Sequence, residues 1–168
     1  MTIFRLMSSE PVTTTPNMSK PIHLLAFGFG SGLLPKAPGT YGTLVGIPIY
    51  LLIQPLSLIN YGAIVLLAFV IGIWLCEVTS RDLGVHDHGG IVWDEIVGYL
   101  VTMMVAPSGW LWVVLGFLLF RLFDILKPWP ICWFDQKVSG GFGIMLDDLI
   151  AGLFAAGSMF LLDQMEVL

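Results

Sequence analysis

Four apolar runs, 44–59, 61–76, 110–120 and 149–162, contain no charged residue, and a fifth, 91–106, is charged only at Asp94 and Glu95 near its head. Such runs cannot be surface elements of a water-soluble domain, whose helices carry a polar face. Composition agrees. Of 168 residues 57% are hydrophobic and only 11% charged, against about 25% charged in ordinary soluble domains. The mean hydropathy is +0.89. A disordered chain and a soluble enzyme with a charged coat are both excluded. The expectation is one all-α domain, a compact membrane-embedded bundle of about five apolar helices with long cytoplasmic loops. A helix of 16 residues covers about 24 Å, short of the roughly 30 Å hydrocarbon core, so some segments are expected to be buried, re-entrant or half-spanning. Pro48 and Pro55 make the first segment the least regular.

Residues 1–20 are polar, with Pro11, Pro16 and the run Thr13-Thr14-Thr15, and read as a disordered tail ahead of a helical domain at 21–168. Glycines at 28, 30 and 32 interrupt the next apolar stretch, so a signal peptide is not expected. Cys76 and Cys132 lack metal-ligand spacing and read as reduced packing residues. With a net charge of -5 and no basic cluster, nucleic acid is not an expected partner.

The basic residues test the topology independently. Arg5, Lys20 and Lys36 precede the first span, Arg81 lies between the second and third, and Arg121, Lys127 and Lys137 lie between the fourth and fifth. All seven fall on one side of a five-span bundle, the cytoplasmic side by the positive-inside rule. Trp110 and Trp112 on one side, with Trp129 and Trp133 on the other, fit interfacial aromatic belts.

The same cytoplasmic connections hold the residues able to do chemistry. The first, Gly28-Phe29-Gly30-Ser31-Gly32-Leu33-Leu34-Pro35-Lys36-Ala37-Pro38-Gly39-Thr40-Tyr41-Gly42-Thr43, offers backbone N–H groups at Gly30 and Gly32, a charge at Lys36, and Thr40 or Thr43 as helix caps. It reads either as a phosphate cradle or as glycine-mediated helix packing. It is not a nucleotide P-loop. The second carries His86-Asp87-His88-Gly89-Gly90, where two histidines one residue apart can bind a transition metal, one can shuttle a proton, or both can simply meet water. Asp94 and Glu95 follow at the head of an apolar helix, where carboxylates are costly unless paired, metal-bound or wet. Adjacent helix positions diverge by about 100°, so the two are not expected to face the same way.

Arg121, Asp124 and Lys127 share one helical face before Pro128, as an intrahelical ion pair or as a polar stripe lining a site. Asp147 and Asp148 form a second acidic pair before the last apolar run. Gly152, four after Asp148, echoes Gly98, four after Asp94. Hard carboxylate oxygens beside a phosphate cradle suit Mg²⁺. Metal-assisted phosphoryl chemistry is therefore the leading functional expectation. The alternatives are a small cation channel or transporter, which would need acids reaching both faces, and a lipid-binding scaffold, which leaves the acids without a task. Covalent routes have little support: with five residues intervening after Cys76 or Cys132 the next residue is Asp82 or Val138 rather than Arg, and no D-x-D motif is present.

Four motifs in order, G-F-G-S-G-L-L-P-K-A-P-G-T-Y-G-T at 28–43, H-D-H-G-G-I-V-W-D-E-I-V-G at 86–98, F-R-L-F-D-I-L-K-P-W-P at 120–130 and G-G-F-G-I-M-L-D-D at 140–148, resemble the bacterial phosphatidylglycerophosphatase A family. The resemblance runs from about residue 27 to 162. It implies an all-helical, Mg²⁺-dependent enzyme of the bacterial inner membrane that hydrolyses phosphatidylglycerophosphate to phosphatidylglycerol and phosphate. On that reading the partners are the lipid substrate and the bilayer, with the site at the cytoplasmic face. Our own assignment of roles gives Asp94, Asp124, Asp147 and Asp148 to the metal, and Glu95 to orienting or deprotonating the attacking water. Lys36, Arg121 and Lys127 bind the phosphoryl oxygens with the glycine loop, and His86 or His88 protonates the leaving alkoxide.

Overall fold

The structure, a computed structural model, describes residues 15–85 and 87–165. Residues 1–14 of the expected tail, and His86, lie outside the described residues. Every regular element among the described residues is helical. α1 (Pro21–Ala26) leads through a 3₁₀ turn (Gly28–Leu33) to α2 (Pro38–Ile53) and α3 (Leu58–Leu83). α4 (Trp93–Thr102), α5 (Trp110–Leu126), α6 (Ile131–Lys137) and α7 (Gly140–Gln164) follow.

All five apolar runs lie largely in helices, as expected, but they differ in reach, and fewer than about five are of a length to span a membrane. Among the described residues only α3, with 26 residues, and α7, with 25, are both long and apolar enough to cross a bilayer. At 1.5 Å per residue they cover about 39 and 37 Å. α2 is apolar but has 16 residues, and α4 has 10, about 15 Å. The connections are also shorter than expected, because helix fills them: α1 and the 3₁₀ turn take up much of the first, and α6 much of the third.

Local chemistry explains the boundaries. Pro38 opens α2, where its missing N–H costs nothing, and Pro48 sits exposed within the helix without ending it. Ser57 caps α3 by accepting from the Asn60 N–H, and Gly84 ends it in the left-handed conformation. Asn17 to Lys20 form a turn docked on α3: Lys20 pairs with Asp82 at 2.7 Å, and buried His23 on α1 reaches the same carboxylate at 3.1 Å. His23 Nδ1 accepts the Asn17 N–H, so Nε2 bears the proton and donates to Asp82.

α4 and α7 form the centre of the bundle and pack on α2, α3 and α5. Tyr99, Phe120, Leu75, Met145 and Phe27 are almost fully buried there. Outward-facing positions are apolar instead of charged: Leu66, Leu67, Val70 and Trp74 on α3, Leu118 on α5, and Leu153 and Leu161 on α7 are all more than half exposed.

The C-terminal half of α3 lies along the N-terminal half of α7. Glu77 fixes the contact by accepting the Gly141 N–H at 2.8 Å, a carboxylate at a helix N-terminus. Gly140 and Gly141 allow this approach, since a Cβ on Gly141 would lie 2.1 Å from the Ile73 carbonyl oxygen. Glu77→Gln is expected to lower stability by about 1 kcal/mol through loss of the charged cap. Arg81→Ala, which removes an exposed i,i+4 partner of Glu77, should cost under about 0.5 kcal/mol. Thermal unfolding in one detergent compares them, and equal losses would contradict the capping role.

Candidate functional site

The site is built at the crossing of α4 and α7. Gly98 and Gly152 meet backbone to backbone, since a Cβ on Gly152 would sit 2.5 Å from the Gly98 carbonyl oxygen. The Thr102 hydroxyl seals the crossing by donating to that oxygen at 3.0 Å, and also lies 3.4 Å from the Gly152 carbonyl oxygen. One turn before each glycine stand Asp94 and Asp148. The close crossing therefore delivers these carboxylates to each other. The echo of an acid four residues before a glycine is thus a packing device used once on each helix.

Asp94, Glu95 and Asp148 converge so that one ligand oxygen from each lies within 4.8 Å of the others. The expectation that Asp94 and Glu95 diverge is corrected. Their Cα atoms are only about 3.8 Å apart, and the extra methylene of Glu95 lets its carboxyl swing back to within hydrogen-bonding reach of Asp94. Asp148 is 3% exposed. Asp94 Oδ1, Glu95 Oε2 and Asp148 Oδ2 are buried without a hydrogen-bond partner. Orphaned buried acceptors are rare and costly. Burial pushes the Glu95 carboxyl up to about 7 and raises Asp94 well above the ordinary carboxylate range, the neighbouring acids adding to the shift of Asp94.

The other predicted residues divide into those the fold brings in and those it leaves outside. Asp124, on α5, joins the cluster: it is bound by Arg121 Nη1 and lies within hydrogen-bonding reach of Asp148. Arg121 also faces Glu95 at 3.7 Å. Asp147 points to Lys127, at 2.6 Å, rather than into the three-carboxylate group. Arg121 and Lys127, expected on phosphate, thus each engage a carboxylate, because among apolar neighbours a lone cation is best neutralised by the nearest acid.

In the glycine-rich connection, Gly32 packs against the Gly90 backbone, where a Cβ would meet the carbonyl oxygen at 2.0 Å. Gly30, at φ +95°, has open space around it. Thr43 is buried and donates back to the Gly39 carbonyl, so it caps nothing; Ala37, in the left-handed conformation, precedes α2 instead. Thr40 makes no side-chain cap either. Lys36 is exposed and makes no ion pair with another described residue. His88 packs on Phe27 and accepts the Gly90 N–H at Nδ1, which leaves Nε2 as its proton-bearing nitrogen.

Gly39 is the contribution that sequence reasoning missed. A Cβ there would lie 2.1 Å from Glu95 Oε1 and 2.9 Å from Arg121 Nη1, so the first turn of α2 lies directly on the cluster. Glu77 was missed as well. An acid directly after the apolar run 61–76 was the available signal.

The Phosphatidylglycerophosphatase A family profile matches residues 24–163. The phosphatidylglycerophosphatase A of Escherichia coli is 52% identical over 144 residues, covering 85% of this chain and 84% of the relative. That of Haemophilus influenzae is 48% identical over 146 residues, covering 86% and 90%. A Bacteroides thetaiotaomicron relative with the provisional name phosphatidylinositol-3-phosphatase is 36% identical over 140 residues, covering 79% and 87%. No solved structure matches the chain. With its motifs, its helical fold and these relatives in agreement, the chain belongs to the phosphatidylglycerophosphatase A family and is a phosphatase, a phosphoric monoester hydrolase.

Proposed function

We propose that the protein is a Mg²⁺-dependent phosphatase of the bacterial inner membrane that hydrolyses phosphatidylglycerophosphate to phosphatidylglycerol and inorganic phosphate. The single observation that carries this reading is the convergence of Asp94, Glu95 and Asp148 with one buried, unpartnered oxygen on each. Such a set fits a hard divalent cation that prefers carboxylate oxygen. Bound there, Mg²⁺ would supply positive charge and Lewis acidity toward phosphate and water.

The chain's own residues do the rest. Asp94, Glu95 and Asp148 hold the cation, and Asp124 braces Asp148 from α5. Glu95 is also the group placed to orient the attacking water or take its proton: its carboxyl lies in the cluster and faces Arg121 at 3.7 Å. The α2 N-terminus and Lys36 attract the phosphate dianion, the helix by its dipole and Lys36 as a point charge. His88, with its proton on Nε2, donates to the departing alkoxide.

The bilayer reading draws on the same structure. α3 and α7 are long enough to cross and many of their outward side chains are apolar, which supports contact with lipid. Trp129, at 78% exposure, and Trp133 flank the site-bearing end as interfacial aromatics do. Asp148 lies eight residues into α7, about 12 Å along the helix from its N-terminal end. A lipid with its acyl chains in the membrane would present its phosphate at that depth, and the basic residues at this end support a cytoplasmic orientation.

The test is phosphate release by purified protein from phosphatidylglycerophosphate in detergent micelles, with Mg²⁺, with excess chelator, and with phosphatidylinositol 3-phosphate as a competing substrate class. The expected result is release that falls at least about 100-fold with chelator and returns when Mg²⁺ is restored in excess. Release unaffected by chelator would overturn the metal assignment. Preferential hydrolysis of phosphatidylinositol 3-phosphate would overturn the substrate assignment.

A further inference from the structure

We infer that the site takes one divalent cation and that the guanidinium of Arg121 occupies the place a second would need. The inference rests on the metal reading above.

Metal centres for phosphoryl transfer that use two ions hold them about 3.5–4 Å apart, bridged and flanked by carboxylates. This cluster has acids enough for that arrangement, since Asp124 adjoins Asp148 and Glu95. Its two halves are nevertheless different. On the α4–α7 side, three carboxyls converge within 4.8 Å, and each keeps a buried oxygen without a partner. On the α5 side, Arg121 Nη1 binds Asp124 Oδ2 and stands 3.7 Å from Glu95 Oε1. Arg121 is only 14% exposed, so this cation belongs to the interior of the cluster.

Packing closes the same place from another direction. Gly39 brings the backbone of α2 so near that even a methyl group would come within 2.1 Å of Glu95 Oε1 and 2.9 Å of Arg121 Nη1. Between Glu95 and Asp124 there is already a positive group, roofed by a helix backbone. A second divalent ion would have to displace the guanidinium or sit against its charge. Arg121 is therefore a positioning residue: its guanidinium holds Glu95 and Asp124 in place by charge and by its planar, multi-donor geometry.

Mn²⁺ serves as the probe because it takes the same hard oxygen ligands as Mg²⁺ and is seen directly by electron paramagnetic resonance. Titrated into the detergent-purified full chain, it should bind with a stoichiometry of one. The spectrum should show the resolved hyperfine lines of an isolated ion, and Asp148→Asn should abolish the binding. Arg121→Gln should raise the stoichiometry to two, with exchange broadening from neighbouring ions, while Arg121→Lys should keep it at one. Two ions in the wild-type protein would overturn the inference and leave the metal reading standing. No bound ion would overturn the metal reading, and the inference with it. Should Arg121→Gln fail to fold, Arg121→Met carries the same expectation of two ions, and a stoichiometry of one in a folded variant lacking the cation would overturn the role given to Arg121.

Discussion

Asp148→Asn is expected to lower phosphate release at least about 100-fold while leaving the metal-free protein as stable as wild type or more so. Loss of a group that merely supports a metal ligand commonly costs about 10–100-fold, so loss of a ligand should cost no less. The stability expectation follows from the surroundings. Asp148 is 3% exposed, adjoins Asp124 and converges with Asp94 and Glu95. An amide of nearly the same shape removes one member of a mutually repelling buried set. Lost activity with unchanged or raised stability marks a residue kept for function rather than for folding. The measurement pairs phosphate release with thermal unfolding in chelator. An Asp148→Asn protein that keeps activity within about threefold of wild type would remove Asp148 from the ligand set.

Gly152→Ala should be nearly as damaging to activity, but by a different route. Its Cβ would lie 2.5 Å from the Gly98 carbonyl oxygen, a backbone atom that cannot step aside without moving α4 from α7. Overpacking of this kind costs about 1–3 kcal/mol. Because Asp94 and Asp148 stand one turn from the crossing, the same displacement separates them. A misplacement of about 1 Å can cost roughly 100-fold in rate. Gly157→Ala is the matched control on the same helix. Nothing lies within 4 Å of its Cβ, so it should stabilise α7 by about 0.5–1 kcal/mol and leave turnover unchanged. Thermal unfolding and phosphate release on the three proteins decide the point. Equal behaviour of the two alanine variants would show that the glycine crossing does not position the carboxylates.

Much of this was legible before any coordinates. An apolar chain whose acids gather toward the ends of its apolar segments has little choice but to form helices, since every backbone group must find a partner within its own segment where water is scarce. Asp94, Glu95, Asp124 and Asp148 were identifiable because a carboxylate beside apolar residues must be accounted for. The four ordered motifs pointed to the family that the relatives then established.

Other features depend on distances between segments, which one-dimensional spacing does not contain. Helical rotation suggested that Asp94 and Glu95 diverge, yet the reach of a side chain exceeds the offset of neighbouring Cα atoms. Arg121 and Lys127 were assigned to phosphate by charge alone. Their proximity to Asp124, Glu95 and Asp147 made them partners of acids instead. Gly39 looked like one glycine among several in a loop, and only the packing of α2 on the cluster distinguishes it. Sequence by itself determined the helical class, the family and which acids need a purpose, because the first follows from composition, the second from the resemblance of four ordered motifs and the third from the cost of a charge among apolar neighbours. Only the tertiary structure decided which carboxylates share a centre and which cations they hold, because that depends on two glycines letting α4 and α7 touch.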